Sequence, residues 1–138
     1  MKYNGRMNTA VKTRHLYNFE QAHFRGTRFV KSIPMKNLRK MTKRIWNAFG
    51  KNKELPKIIA SKGTLYGGRY LSYNQFNDIH LIRNQRNVIT LVHEITHALG
   101  FDDHNKRFVD MEFNILEQIF GAHRGELELT AELFGVDR

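Results

Sequence analysis

The stretch Leu91–Phe108 reads "LVHEITHALGFDDHNKRF". It holds three of the seven histidines in a chain of 138 residues, with Glu94 beside the first and Asp102–Asp103 before the third. In an α-helix, residues four apart lie about 40° apart around the axis and about 6 Å along it. His93 and His97 therefore project side by side, and both rings can reach one ion at about 2.0–2.1 Å. Glu94 is rotated by about 100° from His93, which puts it at the flank of the pair. From there it is poorly placed as a ligand and well placed to reach a water on the ion, which is the mechanical content of the pattern HExxH. Two core histidines bonded to backbone would be the plain alternative, and that fits a lone histidine better than this triplet.

The third ligand depends on where the helix stops. On a continuous helix His104 would stand about 10.5 Å beyond His97, too far for a shared ion, so the chain must turn, and Gly100 supplies the break. The returning chain can deliver either Asp103 or His104. His104 aligns at helical spacing with Phe108, Met111, Ile115 and Ile119, so it is assigned to the inward stripe of the next helix and preferred as ligand. Asp102 or Asp103 then stands where a capping carboxylate is expected. Three imidazoles leave a fourth position open, the arrangement of catalytic zinc. Zn²⁺ is the expected cofactor, with Glu94 as general base in amide hydrolysis. Tyr70, Tyr73, His80, His123 and Arg124 are candidate donors to the developing oxyanion, unranked by sequence.

Working outward, Asn87 caps the motif helix "VITLVHEITHAL", which has Val88, Leu91, Val92, Ile95 and Leu99 available for burial. Upstream, "LPKIIAS", "GGRYLSY" and "NDIHLIR" read as three short strands of a small sheet. In the last, Ile79 and Leu81 face one side and His80 and Ile82 the other. If it is an edge strand beside the metal, it can pair with an extended peptide; an internal strand is the equal alternative. "PMKNLRKMTKRIWNAFG" is an amphipathic helix with Leu38, Met41, Ile45, Trp46 and Phe49 inward and Gly50 as its end. Residues 8–29 form an aromatic, basic helix broken near Gly26. Downstream, "HNKRFVDMEFNILEQIF" and "GELELTAELFG" are helices. The expected fold is α+β: N-terminal helices, a three-stranded sheet, the HExxH helix and C-terminal helices, in a single domain over residues 1–138.

Composition bounds the function. Hydrophobic residues make up 41% of the chain and there is no cysteine, which excludes disulfides and thiolate metal sites. No apolar run is long enough for a membrane span, and "MKYNGRMNTAVKTRHLYNF" lacks the apolar segment of a secretory signal, so a soluble cytoplasmic protein is expected. The net charge of +10 is uneven: residues 1–70 hold 17 of the 23 Lys+Arg and 2 of the 13 Asp+Glu. This basic half points to nucleic acid as a partner, against the plainer reading of a solvated cationic face.

At His93-Glu94-x-x-His97, followed by His104-x-x-x-Phe108, the chain resembles the small metallopeptidases of the SprT-like and WLM group, which includes the Spartan-type proteases. The resemblance covers roughly residues 35–120. It implies a minimal zincin-like metallopeptidase domain, zinc on His93, His97 and His104, Glu94 as base, and protein or peptide substrates, some of them attached to DNA. The gap to the third histidine is shorter than in Spartan-type members, and Asn105 stands where glycine is common. "HEITHALGFDDH" is also similar to the YbeY group of RNA-processing metalloproteins, though it has one extra residue before His104 and Glu94 where glycine is usual. A metzincin with Asp103 as ligand would need a tight turn at a methionine, whereas Met111 falls within a helical pattern. A basic nucleic-acid-binding protein with a structural metal is the non-enzymatic alternative.

Overall fold

The computed structural model describes residues 9–62, 64–66, 69–75 and 77–138. Five α-helices surround a small sheet: α1 (Thr9–Phe24), α2 (Met35–Phe49), α3 (Val88–Ala98), α4 (Lys106–Phe120) and α5 (Arg124–Leu133). The strands are β1 (Lys57–Ala60), β2 (Thr64–Tyr66), β3 (Arg69–Leu71), β4 (Tyr73–Gln75) and β5 (Asp78–Leu81). The expected mixture of helices and a small sheet is therefore present. None of the described helices is long and apolar enough to cross a membrane.

α3 is the hub. Val88, Ile89, Leu91, Val92 and Ile95 are all buried, as are His93, Glu94 and Thr96 between them, so the helix is enclosed on nearly every face. It packs on α2, α4, β4 and β5. Both ends follow from sequence. Asn87 Oδ1 accepts the Thr90 N–H at 2.9 Å, and Gly100 leaves the helix at φ +107°, which side chains disfavour. Around α3 the core gathers Leu16 and Phe19 from α1, Leu38 and Ile45 from α2, and Phe108 and Phe113 from α4. Position 50, just after α2, is held to glycine for a different reason: a Cβ there would stand 2.5 Å from the Trp46 ring. Trp46 itself donates its indole N–H to the Lys53 carbonyl at 2.9 Å.

The sheet differs from the expected one. Its order is β1-β5-β4, with β1 parallel and β4 antiparallel to β5. "GGRYLSY" is not one strand: β3 pairs with β2 in a separate hairpin, and β4, starting at Tyr73, joins the main sheet. The reason is local. Ser72 breaks the run, its N–H donating to Gln85 Oε1 and its hydroxyl accepting the Ile82 N–H. Ile79 and Leu81 of β5 are fully buried, as the alternation predicts. β5 lies between β1 and β4, so it is internal and offers no edge to a peptide.

The start of α4 also departs from expectation. Neither Asp102 nor Asp103 caps it; Asn105 does, its Oδ1 accepting the N–H groups of Arg107 and Phe108 at 3.1 and 3.2 Å. His104 consequently precedes the helix rather than opening it. The inward stripe runs through Phe108, Glu112, Ile115 and Leu116, with Met111 only half-buried.

Candidate metal centre

The three histidines come together. Nε2 of His104 lies 3.0 Å from Nε2 of His93 and 3.0 Å from Nε2 of His97. His93 and His97 project from adjacent turns of α3, and His104 arrives on the loop that Gly100 turns back. Asp103 is exposed and belongs to neither of the two clustered sets of possible ligands among the described residues, which are His93, His97 and His104, and, behind the His93 ring, Glu20, His93 and Glu112.

Each ring is oriented from behind. His93 Nδ1 lies 2.7 Å from Glu20 Oε2. His97 Nδ1 donates to the Phe101 carbonyl at 2.8 Å. His104 Nδ1 meets Thr13 Oγ1 at 2.9 Å. With protons on the Nδ1 atoms of His93 and His97, their Nε2 lone pairs point inward, and neutral rings leave at most one proton among three converging nitrogens. Such a cluster of acceptors could hold a metal ion. Tetrahedral ligands at about 2.0–2.1 Å stand about 3.3–3.4 Å from one another, so small outward movements would seat a zinc ion. The donor set fits the group.

Electrostatics favour the neutral form at two of the three rings. Burial, with repulsion from His93, lowers His97 to about 4, and burial with repulsion from His93 and His97 lowers His104 to about 3. Both rings are therefore neutral at pH 7, the form a metal ion requires. Burial also opposes charge on His93, but Glu112 and Glu94 outweigh it, and His93 rises above its ordinary value.

α1 and α4 supply residues that sequence reasoning missed. Thr13, Tyr17 and Glu20 stand at i, i+4 and i+7 of α1 and so share one face over the site. Tyr17 stacks on the His93 ring at 5.2 Å and 17°. Glu112 of α4, fully buried, places Oε2 3.5 Å from His93 Nδ1. Burial raises Glu20 to about 8, offset in part by Glu112, and burial together with Glu20 raises Glu112 well above its ordinary value. A signal existed for both: Glu20 is the sole acid in the first 53 residues, and Glu112 interrupts an apolar stripe eight residues after His104.

Glu94 is buried at the flank of the histidines, and burial raises it to about 7 against the opposing influence of His93. It opens onto a cleft of about 350 Å³ lined also by Tyr17, Ser72, Tyr73, Asn74, His97 and Asp102. Of the four candidate oxyanion donors whose side chains are described, Tyr73 lines this cleft and His80, His123 and Arg124 do not. His80 stacks behind Tyr73 at 4.3 Å and 5°. His123 caps α5 through the Glu126 N–H, and Arg124 binds Asp110, Asn114 and Glu128 across α4 and α5, so both are structural. The Tyr70 side chain lies outside the described residues. Comparison of the chain with protein-family models, curated proteins and solved structures finds no match.

Proposed function

We propose that the chain is a zinc-dependent metallopeptidase of the HExxH type. The observation that carries this reading is the convergence of three Nε2 atoms beside a buried carboxylate that opens onto a cleft. A zinc ion held by His93, His97 and His104 supplies a Lewis acid for the substrate carbonyl and lowers the pKa of water. Glu94 takes the proton of the attacking water and hands it to the leaving amine; its pKa near 7 suits both transfers at neutral pH. Tyr17 and Tyr73 flank the cleft, where a hydroxyl can donate to the carbonyl oxygen as charge develops.

The edge-strand role passes from β5 to β4. Among the described residues β4 pairs on one side only, and Tyr73 and Asn74 line the cleft beside Glu94 and His97. An extended peptide pairing with that edge would bring its backbone alongside the metal centre.

The test is hydrolysis of an unstructured protein and of a structured RNA, each with and without chelator. Wild type is expected to cleave the protein only, and to stop when chelated. Glu94→Gln is expected to retain metal and lose at least about 100-fold in rate. Chelator-sensitive RNA cleavage with intact protein would replace this reading with a metal-dependent endoribonuclease.

A further inference from the structure

A second concavity, of about 530 Å³, lies between α2 and β1, away from the histidines. Arg39, Lys40 and Lys43 line it from α2 and Lys57 from β1, over an apolar floor that includes Pro56 and Ile58. Residues 21–53 contain no acid at all. Of the two acids in the basic half, Glu20 is buried beneath His93, which leaves Glu54 alone at the surface there. The ion-paired lysines and arginines among the described residues include Lys12, Arg124 and Arg138, all away from the groove, with Lys12–Asp137 at 3.0 Å and Arg124–Asp110 at 2.9 Å. Among the described residues no carboxylate pairs with the groove cations. Arg39 is held in place instead, its Nε and Nη2 donating to the Ile58 carbonyl at 3.3 and 3.2 Å. That bond satisfies a backbone acceptor of β1 and orders the guanidinium over the groove.

We propose that this groove binds the phosphodiester backbone of a nucleic-acid strand, without reading its sequence. Unpaired cations on both walls suit a polymer that carries one negative charge in every repeat, and an ordered guanidinium suits phosphate oxygens. The apolar floor accepts sugar and base surface between the charged walls. β1 and β4 are opposite edges of the sheet, with β5 between them, so groove and cleft stand about two strand spacings apart, roughly 10 Å. A strand in the groove therefore leaves the cleft open. The inference does not rest on the peptidase reading, since it requires neither the metal nor Glu94.

The experiment is fluorescence anisotropy of a labelled single-stranded oligonucleotide against full-length protein over a salt series. Wild type is expected to bind, with affinity falling steeply as salt rises. Lys40→Glu/Lys43→Glu/Lys57→Glu is expected to bind at least tenfold more weakly and to lower the log–log salt slope by about 2, three contacts at about 0.7 each. All three side chains are exposed, so the fold should persist; if the triple variant fails to fold, the three Lys→Gln changes are expected to act in the same direction. Arg25→Glu/Lys31→Glu/Lys106→Glu makes the same change in net charge on exposed sites outside the groove, and should keep most of the affinity. Equal loss in both triples would mean diffuse charge and overturn the proposal. So would an absence of binding by wild type, or polyglutamate binding as tightly as the oligonucleotide.

Discussion

His93 carries two carboxylates behind one ring nitrogen, with Glu20 Oε2 at 2.7 Å and Glu112 Oε2 at 3.5 Å. A carboxylate behind a ligating imidazole fixes its orientation and raises its basicity, and losing such a partner typically costs about 10–100-fold in metal affinity. Glu20→Gln is accordingly expected to weaken zinc binding at least about tenfold in a chelator competition; unchanged affinity would remove Glu20 from the centre. The same residue has a pH signature in metal-free protein. Glu20 ionises near 4.5 ordinarily and near 8 in the fold, so its contribution is complete below 4.5 and is lost as pH rises toward 8. His97, lowered from 6.5 to about 4, has the opposite sign: its contribution is present above 6.5 and is lost as pH falls toward 4. Between pH 6.5 and 8 the Glu20 effect is therefore free of His97, while Glu94 and His93, both raised, add losses of the same sign, and the Tm of metal-free wild type should fall there more steeply than that of Glu20→Gln. His93, Glu94 and His97 were legible because four-residue spacing on a helix settles their geometry locally. Glu20 was not, because 73 residues separate it from His93 and only packing brings them together.

The loop between α3 and α4 decides whether His104 arrives beside His93 and His97. Its two controls are Gly100 at φ +107° and the Asn105 cap. Gly100→Ala is expected to destabilise by about 1–3 kcal/mol through backbone strain. Asn105→Ala is expected to cost about 1 kcal/mol by freeing two N–H groups, and Asn105→Asp to restore it. Thermal unfolding of the three variants checks this, and an Asn105→Ala variant as stable as wild type would contradict the capping role. Gly100 was readable as a stop signal. The cap was misplaced because Asp102, Asp103 and Asn105 all have capping side chains, and periodicity bounds a helix end only to within a turn. The strands were legible as short β-prone runs, whereas their pairing was not. Ser72 ends β3 through bonds to Gln85 and Ile82, partners that sequence order does not reveal.

Over the whole molecule, one enclosed helix separates two kinds of surface. At one edge of the sheet α3, the α4 loop and β4 build a compact polar centre; at the other, α2 and β1 present cations that pair with no carboxylate among the described residues. The charge asymmetry was visible in composition, but its meaning sharpened only when Glu20 proved to be buried, leaving that half almost without exposed acid. The mixed α and β architecture was legible as well, because amphipathic helices and short β-prone runs occupy separate stretches of the chain. Which strand forms the edge beside the histidines was not, since strand order decides it and β5 turned out to be central.

The claim beneath all of this is that His93, His97 and His104 grip a single divalent ion. Elemental analysis of purified wild type, His104→Ala and Asp103→Ala, after dialysis against zinc-containing and then zinc-free buffer, addresses it directly. The account predicts one zinc per chain in wild type and in Asp103→Ala, and little or none in His104→Ala. Full occupancy in His104→Ala, or no bound metal in wild type, would contradict it.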